Sequence, residues 1–304
     1  MFDLLPGRLA LNNPVMTASG TFGYGTEFAE HGDVSAIGGI VCKGITREPR
    51  AGHPPPRIVE TAAGALNAIG LANIGMEAAI RDKAPLWADM LTPITVNING
   101  ESVEDYAVLA RAFTGVPGVA ALEVNISCPN VASGGMLFGA DPERAAEVTR
   151  AVRDATDLPL LVKLTPNVAG VVAVAKAVVE AGAEALTVAN TYLGIAIDAA
   201  TGQPALRNVT GGLSGPAIKP LTLRLVYEVA GTVNVPIIGC GGIMNGRDAA
   251  EYLLAGASAV QVGTATLVDP FAPTRIAAEL ATWLQKSPFA SVRDAVGAAH
   301  KGSE

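Results

Sequence analysis

A single closed (β/α)8 barrel, the TIM-barrel form of the α/β class, is the fold this sequence predicts, and three observations predict it. Short, almost wholly apolar runs recur eight times along the 304 residues, each bounded by Pro or Gly. Longer amphipathic segments rich in Ala, Glu and Arg stand between them. The runs are apolar on consecutive residues, as in parallel strands buried on both faces. An open doubly wound sheet is the alternative. It lacks the expected Gly-x-Gly-x-x-Gly turn after the first strand, and Gly211-Gly212-Leu213-Ser214-Gly215 has neither that spacing nor a preceding strand.

The predicted strands are Pro14–Ala18, Gly39–Lys43, Ile94–Ile98, Ala121–Ile126, Leu160–Leu164, Ala185–Ala189, Pro236–Gly239 and Ala259–Val262. Helices are expected over Val103–Phe113, Pro142–Ala155 (opened by Asp141-Pro142), Val168–Ala181, Ile218–Ala230 and Gly246–Ala255. Asp157-Leu158-Pro159 and Asn234-Val235-Pro236 are matching punctuation before two of the strands. Three connections exceed the usual length: Gly44–Gly70, Pro129–Asp141 and Asn190–Pro216. All three leave C-terminal strand ends, where such barrels keep their active sites. His53–Arg57, with its three prolines, reads as a rigid part of the first. No linker divides the chain, so residues 1–304 are expected to form one domain.

Half of the residues are apolar, which suits a large buried core. The net charge of −7, from 28 acidic and 21 basic residues with no Lys/Arg block, argues against nucleic acid as a partner. Cys42, Cys128 and Cys240 are widely spaced and fit neither a disulfide framework nor a metal site, so a reducing cytoplasm is expected. The N-terminus carries Asp3 and no apolar h-region, so it does not read as a signal peptide. The most apolar run, Val168–Ala189, is interrupted by Lys176, Glu180 and Glu184, read as four apart on one face of a solvated helix rather than a membrane span. A soluble protein with no membrane partner follows.

The ends of the predicted strands carry the chemistry. They read Ser19-Gly20, Lys43-Gly44, Asn97 and Asn99, Asn125 with Ser127-Cys128, Lys163, Asn190-Thr191, Gly241-Gly242 and Gly263-Thr264. A purely structural barrel would end its strands in Val, Ile or Ala. Gly-Gly after strand seven and Gly-Thr after strand eight leave bare backbone N–H groups beside a helix start, a phosphate-binding arrangement; tight-turn glycine is the alternative. Lys43 and Lys163 each end a buried run with no acid at either strand end, so an anionic ligand is the expected partner of both. Each could instead snorkel to the rim, and Lys163 also fits a Schiff-base lysine. Cys128 lies past a strand end, is followed by Pro129, and heads the small-residue segment Val131–Gly135. A thiol pKa near ~8.5 suits a base with modest tuning. Cys42 and Cys240 read as small core hydrophobes, and His31, His53 and His300 lie outside the strand ends.

These residues resemble the class 1 dihydroorotate dehydrogenases over nearly the whole chain. The motifs are Asn-Ile-Ser-Cys-Pro-Asn (125–130), Val-Lys-Leu-Thr-Pro-Asn (162–167), Asn-Ala-Ile-Gly-Leu (67–71) and Ile-Gly-Cys-Gly-Gly-Ile (238–243). Glu48-Pro49-Arg50, Pro54-Pro55-Pro56-Arg57, Glu60-Thr61 and Asn67 are similar to the B-type branch rather than the fumarate-using A-type. The resemblance implies one FMN per chain, held by Ser19, Lys43, Gly44, Asn97, Asn125, Lys163, Ala189, Gly215, Gly241, Gly242, Gly263 and Thr264. It places dihydroorotate against Lys43, Asn67, Ala68, Ile69, Gly70, Leu71, Asn125, Asn190 and Thr191. Cys128 becomes the base and Lys163 stabilises charge gathering on the flavin as orotate forms in pyrimidine (UMP) biosynthesis. The segment after Cys128 is expected to close over the substrate. B-type relatives pass electrons to NAD through a separate subunit carrying FAD and an iron–sulfur cluster, which implies a heterotetramer built on a homodimer of this chain. The alternatives are an A-type enzyme, a related flavin barrel acting on a dihydropyrimidine, a Schiff-base lyase using Lys163, and a non-catalytic binder of a phosphate ligand.

Overall fold

Eight parallel strands surround the core: β1 Val15–Thr17, β2 Ile40–Val41, β3 Ile94–Ile98, β4 Val119–Asn125, β5 Leu160–Lys163, β6 Ala185–Val188, β7 Ile237–Cys240 and β8 Ala259–Val262. The computed structural model describes residues 1–29, 31–126 and 138–302. The strands neighbour one another in chain order from β2 to β8, and β8 pairs with β1. A single parallel bridge, Met16 to Gly39, joins β1 to the lead-in of β2 and closes the barrel. Each strand overlaps one of the eight predicted runs.

Side chains alternate between the barrel interior and the helical layer with a period of two. Along the interior face the chemistry changes from bottom to top: Ala121, Glu123, Asn125 on β4; Leu161, Lys163 on β5; Ala185, Thr187 on β6; Ala259, Gln261 on β8. The lower positions are apolar and buried with Leu4, Leu5, Leu9 and Leu11. Those leucines come from an unpredicted hairpin, Phe2–Leu5 with Leu9–Leu11, which plugs the bottom of the barrel. Strands of three and four residues have too little periodicity to stand out in a sequence.

The helices Val103–Phe113 and Pro142–Ala155 have the predicted bounds. Ser102 and Asp105 form a reciprocal capping box, and Asp141 caps the second helix ahead of Pro142, contributions of about 1 kcal/mol each. The helix expected from Val168 starts at Val171. The Asn167 side chain holds the preceding turn by donating to Thr191 O at 2.9 Å and accepting from Leu193 N at 2.9 Å. That helix ends at Glu180, and Gly182 (φ +108°) turns the chain away, so Glu184 does not share a helical face with Lys176 and Glu180. Glu184 instead bridges Arg8 at 2.7 Å and Arg153 at 2.8 Å. Among the described residues no helix is long and apolar enough to cross a membrane.

Two segments expected to be irregular fold together. Ile58–Thr61 and Gly64–Asn67 from the connection after β2, with Tyr192–Ile195 and Thr210–Ser214 from that after β6, make one antiparallel sheet over the C-terminal mouth. Its central register sets Asn67 opposite Gly212, and Asn67 Nδ2 donates to Gly212 O at 3.2 Å. The glycine run 211–215 is therefore largely strand, stabilised by a partner some 145 residues away in the chain.

Candidate active site

Two adjoining cavities open beneath this sheet at the C-terminal strand ends. They share Ser19, Gly20, Asn67, Ile69, Lys163, Asn190 and Thr191. Ala189, Gly215, Gly241, Gly242, Gly263 and Thr264 line the first, and Lys43, Gly44, Gly70, Leu71, Asn97 and Asn125 line the second. The fold thus gathers most of the predicted residues into one double chamber.

Lys163 stands between the chambers and is 4 % exposed. Its ammonium donates to Ser19 Oγ at 3.3 Å and lies 4.0 Å from Glu123 Oε1. No acid stands at the strand ends, as expected, but one reaches Lys163 from below: Glu123 lies within β4, two residues before its end, and points into the barrel. Burial opposes the ammonium; a Cys240 thiolate and the Glu123 carboxylate are the charges that offset it and raise Lys163 above the usual lysine range. Burial pushes the Cys240 thiol itself up, so it is neutral at physiological pH and Glu123 supplies the counter-charge. Glu123 also accepts from Asn97 Nδ2 at 2.8 Å, Thr187 Oγ1 at 2.7 Å and Gln261 Nε2 at 2.7 Å.

On the opposite rim the glycine pairs bring backbone close to the first chamber. The N–H groups of Gly241, Gly242, Gly263 and Thr264 donate to no protein backbone acceptor among the described residues. Gly242 has φ +69°, and a Cβ there would lie 2.8 Å from Gly215 O and from Lys219 Cβ. Only glycine fits that turn without strain. Asp248 clamps it from behind, accepting from Met244 N at 2.9 Å and from Lys219 Nζ at 2.6 Å. The helix after the Gly241-Gly242 pair starts only at Gly246 and is capped by the Asn245 side chain, so that rim offers turn amides rather than an open helix end. Thr264 Oγ1 donates to Ser214 Oγ at 2.8 Å, adding hydroxyls to the same wall.

The second chamber is rich in amides. Asn190 Nδ2 donates to Asn125 Oδ1 at 3.4 Å, Thr191 N donates to Asn190 Oδ1 at 2.8 Å, and Asn99 Nδ2 donates to Asn97 Oδ1 at 2.9 Å. Lys43 is half-buried on its wall with no carboxylate within ion-pair distance among the described residues. Burial and the nearby Arg57 pull its pKa below the usual lysine value, with Glu27 acting the other way. Leu71 sits at φ +56°, a left-handed conformation that costs a branched residue roughly 1 kcal/mol. Asn73 Nδ2 holds it there by donating to Leu71 O at 2.7 Å.

Ala68, expected against the substrate, packs instead with Leu66 and Leu206 in a small core under the antiparallel sheet. Cys128 and the segment following it lie outside the described residues. Cys42 is fully buried, its thiol pushed up to about 12 mainly by burial. Cys240, read as a core hydrophobe, is buried and also lines the first chamber. Sequence reasoning missed Glu123, Ser214 and Leu267. Counting back by two from Asn125 along the interior face would have found Glu123; Ser214 and Leu267 carry no such signal.

The chain matches the family model for dihydroorotate dehydrogenase over residues 7–284. It is 54% identical over 290 residues to the dihydroorotate dehydrogenase B (NAD(+)) catalytic subunit of Citrifermentans bemidjiense, covering 95% of both chains. Proteins of the same description from Pelobacter propionicus and Geobacter sulfurreducens are 55% and 53% identical over 290 residues, again covering 95% of each chain.

Proposed function

This chain belongs to the dihydroorotate dehydrogenase family, and we propose that it is the catalytic subunit of an NAD-linked enzyme oxidising dihydroorotate to orotate in pyrimidine biosynthesis. The observation that carries this reading is the double chamber: an amide-lined pocket beside a glycine-rimmed one, with Lys163 between them. Family membership implies a flavin, and the residues present fit FMN. Bare turn amides at Gly241, Gly242, Gly263 and Thr264 suit a phosphate, and the charged Lys163 suits an electron-rich ring edge.

When bound, the flavin supplies the hydride acceptor. The chain's own residues do the rest. Lys43, with no carboxylate within ion-pair distance among the described residues, meets the substrate carboxylate, and Asn67, Asn125 and Asn190 match its amide and imide edges with donors and acceptors. Ser19, Gly44 and Asn97 would border a bound flavin, as would Ala189 and Gly215. Ile69, Gly70, Leu71 and Thr191 wall the substrate. Cys128 takes the proton from the substrate carbon. Lys163 keeps its proton and stabilises developing negative charge. The same raised pKa and the Glu123 pairing work against a Schiff-base role, which needs a neutral amine.

The partner is an electron-transfer subunit carrying FAD and an iron–sulfur cluster, in a cytoplasmic heterotetramer built on a dimer of this chain. The description of the relatives as catalytic subunits supports a partner. The test is colour. The purified chain should be yellow and bleach anaerobically on addition of dihydroorotate; a colourless protein, or a yellow one indifferent to dihydroorotate, sinks the reading.

A further inference from the structure

We propose that Glu123 is a positioning residue: a carboxylate sealed beneath the double chamber that keeps the Lys163 ammonium charged and sets the direction of the Asn97 amide. The inference rests on the reading above that Lys163 meets an anionic flavin ligand.

Glu123 is fully buried, and donors fill both of its oxygens. Asn97 Nδ2 takes Oε1 at 2.8 Å, while Thr187 Oγ1 and Gln261 Nε2 take Oε2 at 2.7 Å each. Two amide nitrogens and a hydroxyl thus converge on the carboxylate, each donating to it. An ionised carboxylate only accepts. Asn97 must therefore turn its nitrogen down towards Glu123 and its Oδ1 up, where Asn99 Nδ2 donates to it at 2.9 Å. The orientation of two amides at the chamber floor follows from one buried charge.

The groups facing the Lys163 ammonium are Glu123 from β4 at 4.0 Å, the Ser19 hydroxyl beyond β1 at 3.3 Å, and the Cys240 thiol at the end of β7. The serine is neutral, and burial keeps the thiol neutral as well. Among the described residues Glu123 is thus the anion that balances Lys163. Without it, a buried ammonium loses its proton more readily and its charge fades as pH rises.

Glu123→Gln removes the charge and keeps the shape, and Glu123→Asp does the reverse. The new amide of Glu123→Gln has an acceptor available, because Gln261 Oε1 is buried without a partner. The measurement is FMN affinity by flavin fluorescence from about pH 7 to about pH 9, with thermal melting alongside. Wild type and Glu123→Asp should vary by less than about twofold, while Glu123→Gln should weaken by about tenfold or more as pH rises, because its lysine loses its charge more readily. Adding Lys163→Met to Glu123→Gln should abolish the pH dependence.

A Glu123→Gln profile as flat as wild type overturns the proposal. If Glu123→Gln fails to fold, rescue of folding by Lys163→Met supports an uncompensated charge as the cause, and failure of the double variant as well overturns it. A wild-type chain that binds no FMN would sink the functional reading and this inference with it; a flat Glu123→Gln profile sinks the inference alone.

Discussion

The Lys163 ammonium donates to the Ser19 hydroxyl at 3.3 Å, tying the end of β5 to the end of β1 across the barrel mouth. This cross-barrel contact positions a cation where the two chambers meet. Lys163→Ala should weaken FMN binding by about tenfold to a hundredfold, the range for a charge-assisted hydrogen bond. It should also lower the flavin reduction potential. Fluorescence titration and a redox titration check both, and full retention at an unchanged potential would show that Lys163 does not serve the flavin.

Gly242→Ala tests the glycine rim. The left-handed φ of +69° and the 2.8 Å approach to Gly215 O leave no room for a methyl group. Strain of about 1–3 kcal/mol is expected, with a lower melting temperature and loss of bound FMN. Gly115, at φ +74° with nothing near its Cβ position, is the control: Gly115→Ala should cost stability but leave flavin content intact.

Cys128→Ala should retain FMN and bind orotate, yet reduce the flavin about 10²–10⁴-fold more slowly with dihydroorotate, the usual contribution of a general base. Cys128→Ser should be slow near neutral pH and recover as pH rises, since a serine hydroxyl holds its proton more tightly. Stopped-flow absorbance reads both; near-normal reduction in the alanine variant removes Cys128 from the mechanism.

Thiol reactivity separates the three cysteines. The pKa of Cys42 is raised to about 12 and that of Cys240 is also raised, so both carry their protons at neutral and mildly alkaline pH, and burial shields them. Only the thiolate attacks a disulfide reagent. Native Cys128→Ala should therefore release almost no chromophore from a disulfide reagent, whereas the unfolded variant should show both remaining thiols. Rapid native labelling of Cys240 would contradict its assigned burial.

The chain has no Gly-x-Gly-x-x-Gly fingerprint, and its three cysteines are too few to hold an iron–sulfur cluster through four thiolates. The isolated, dihydroorotate-reduced chain should pass electrons to artificial dyes but not to NAD, and the partner subunit should restore NAD reduction. Rapid NADH formation by the chain alone contradicts the need for a partner, and fast reoxidation by fumarate points to the A-type.

The barrel was legible because each strand is a local, apolar, Pro- or Gly-bounded run that declares itself without its neighbours. The polar strand ends were legible for the same reason: Lys43, Asn97, Asn125, Lys163 and the glycine pairs break a pattern that packing alone would continue. The antiparallel roof was not. Gly64–Asn67 and Thr210–Ser214 are rich in small residues with little alternation, and their pairing joins segments from two distant connections into one sheet.

Sequence by itself determined the strand order, the mouth as the place of chemistry, and the residue types available there, since these follow from periodicity and residue chemistry along the chain. Tertiary structure alone decided that Leu4, Leu5, Leu9 and Leu11 seal the barrel floor, that Ala68 faces a core rather than a chamber, and that Glu123 balances Lys163. The reason is that burial and charge pairing belong to neighbours in space. Glu123 and Lys163 are forty residues apart in the chain and meet only because β4 and β5 lie side by side with both side chains turned inward.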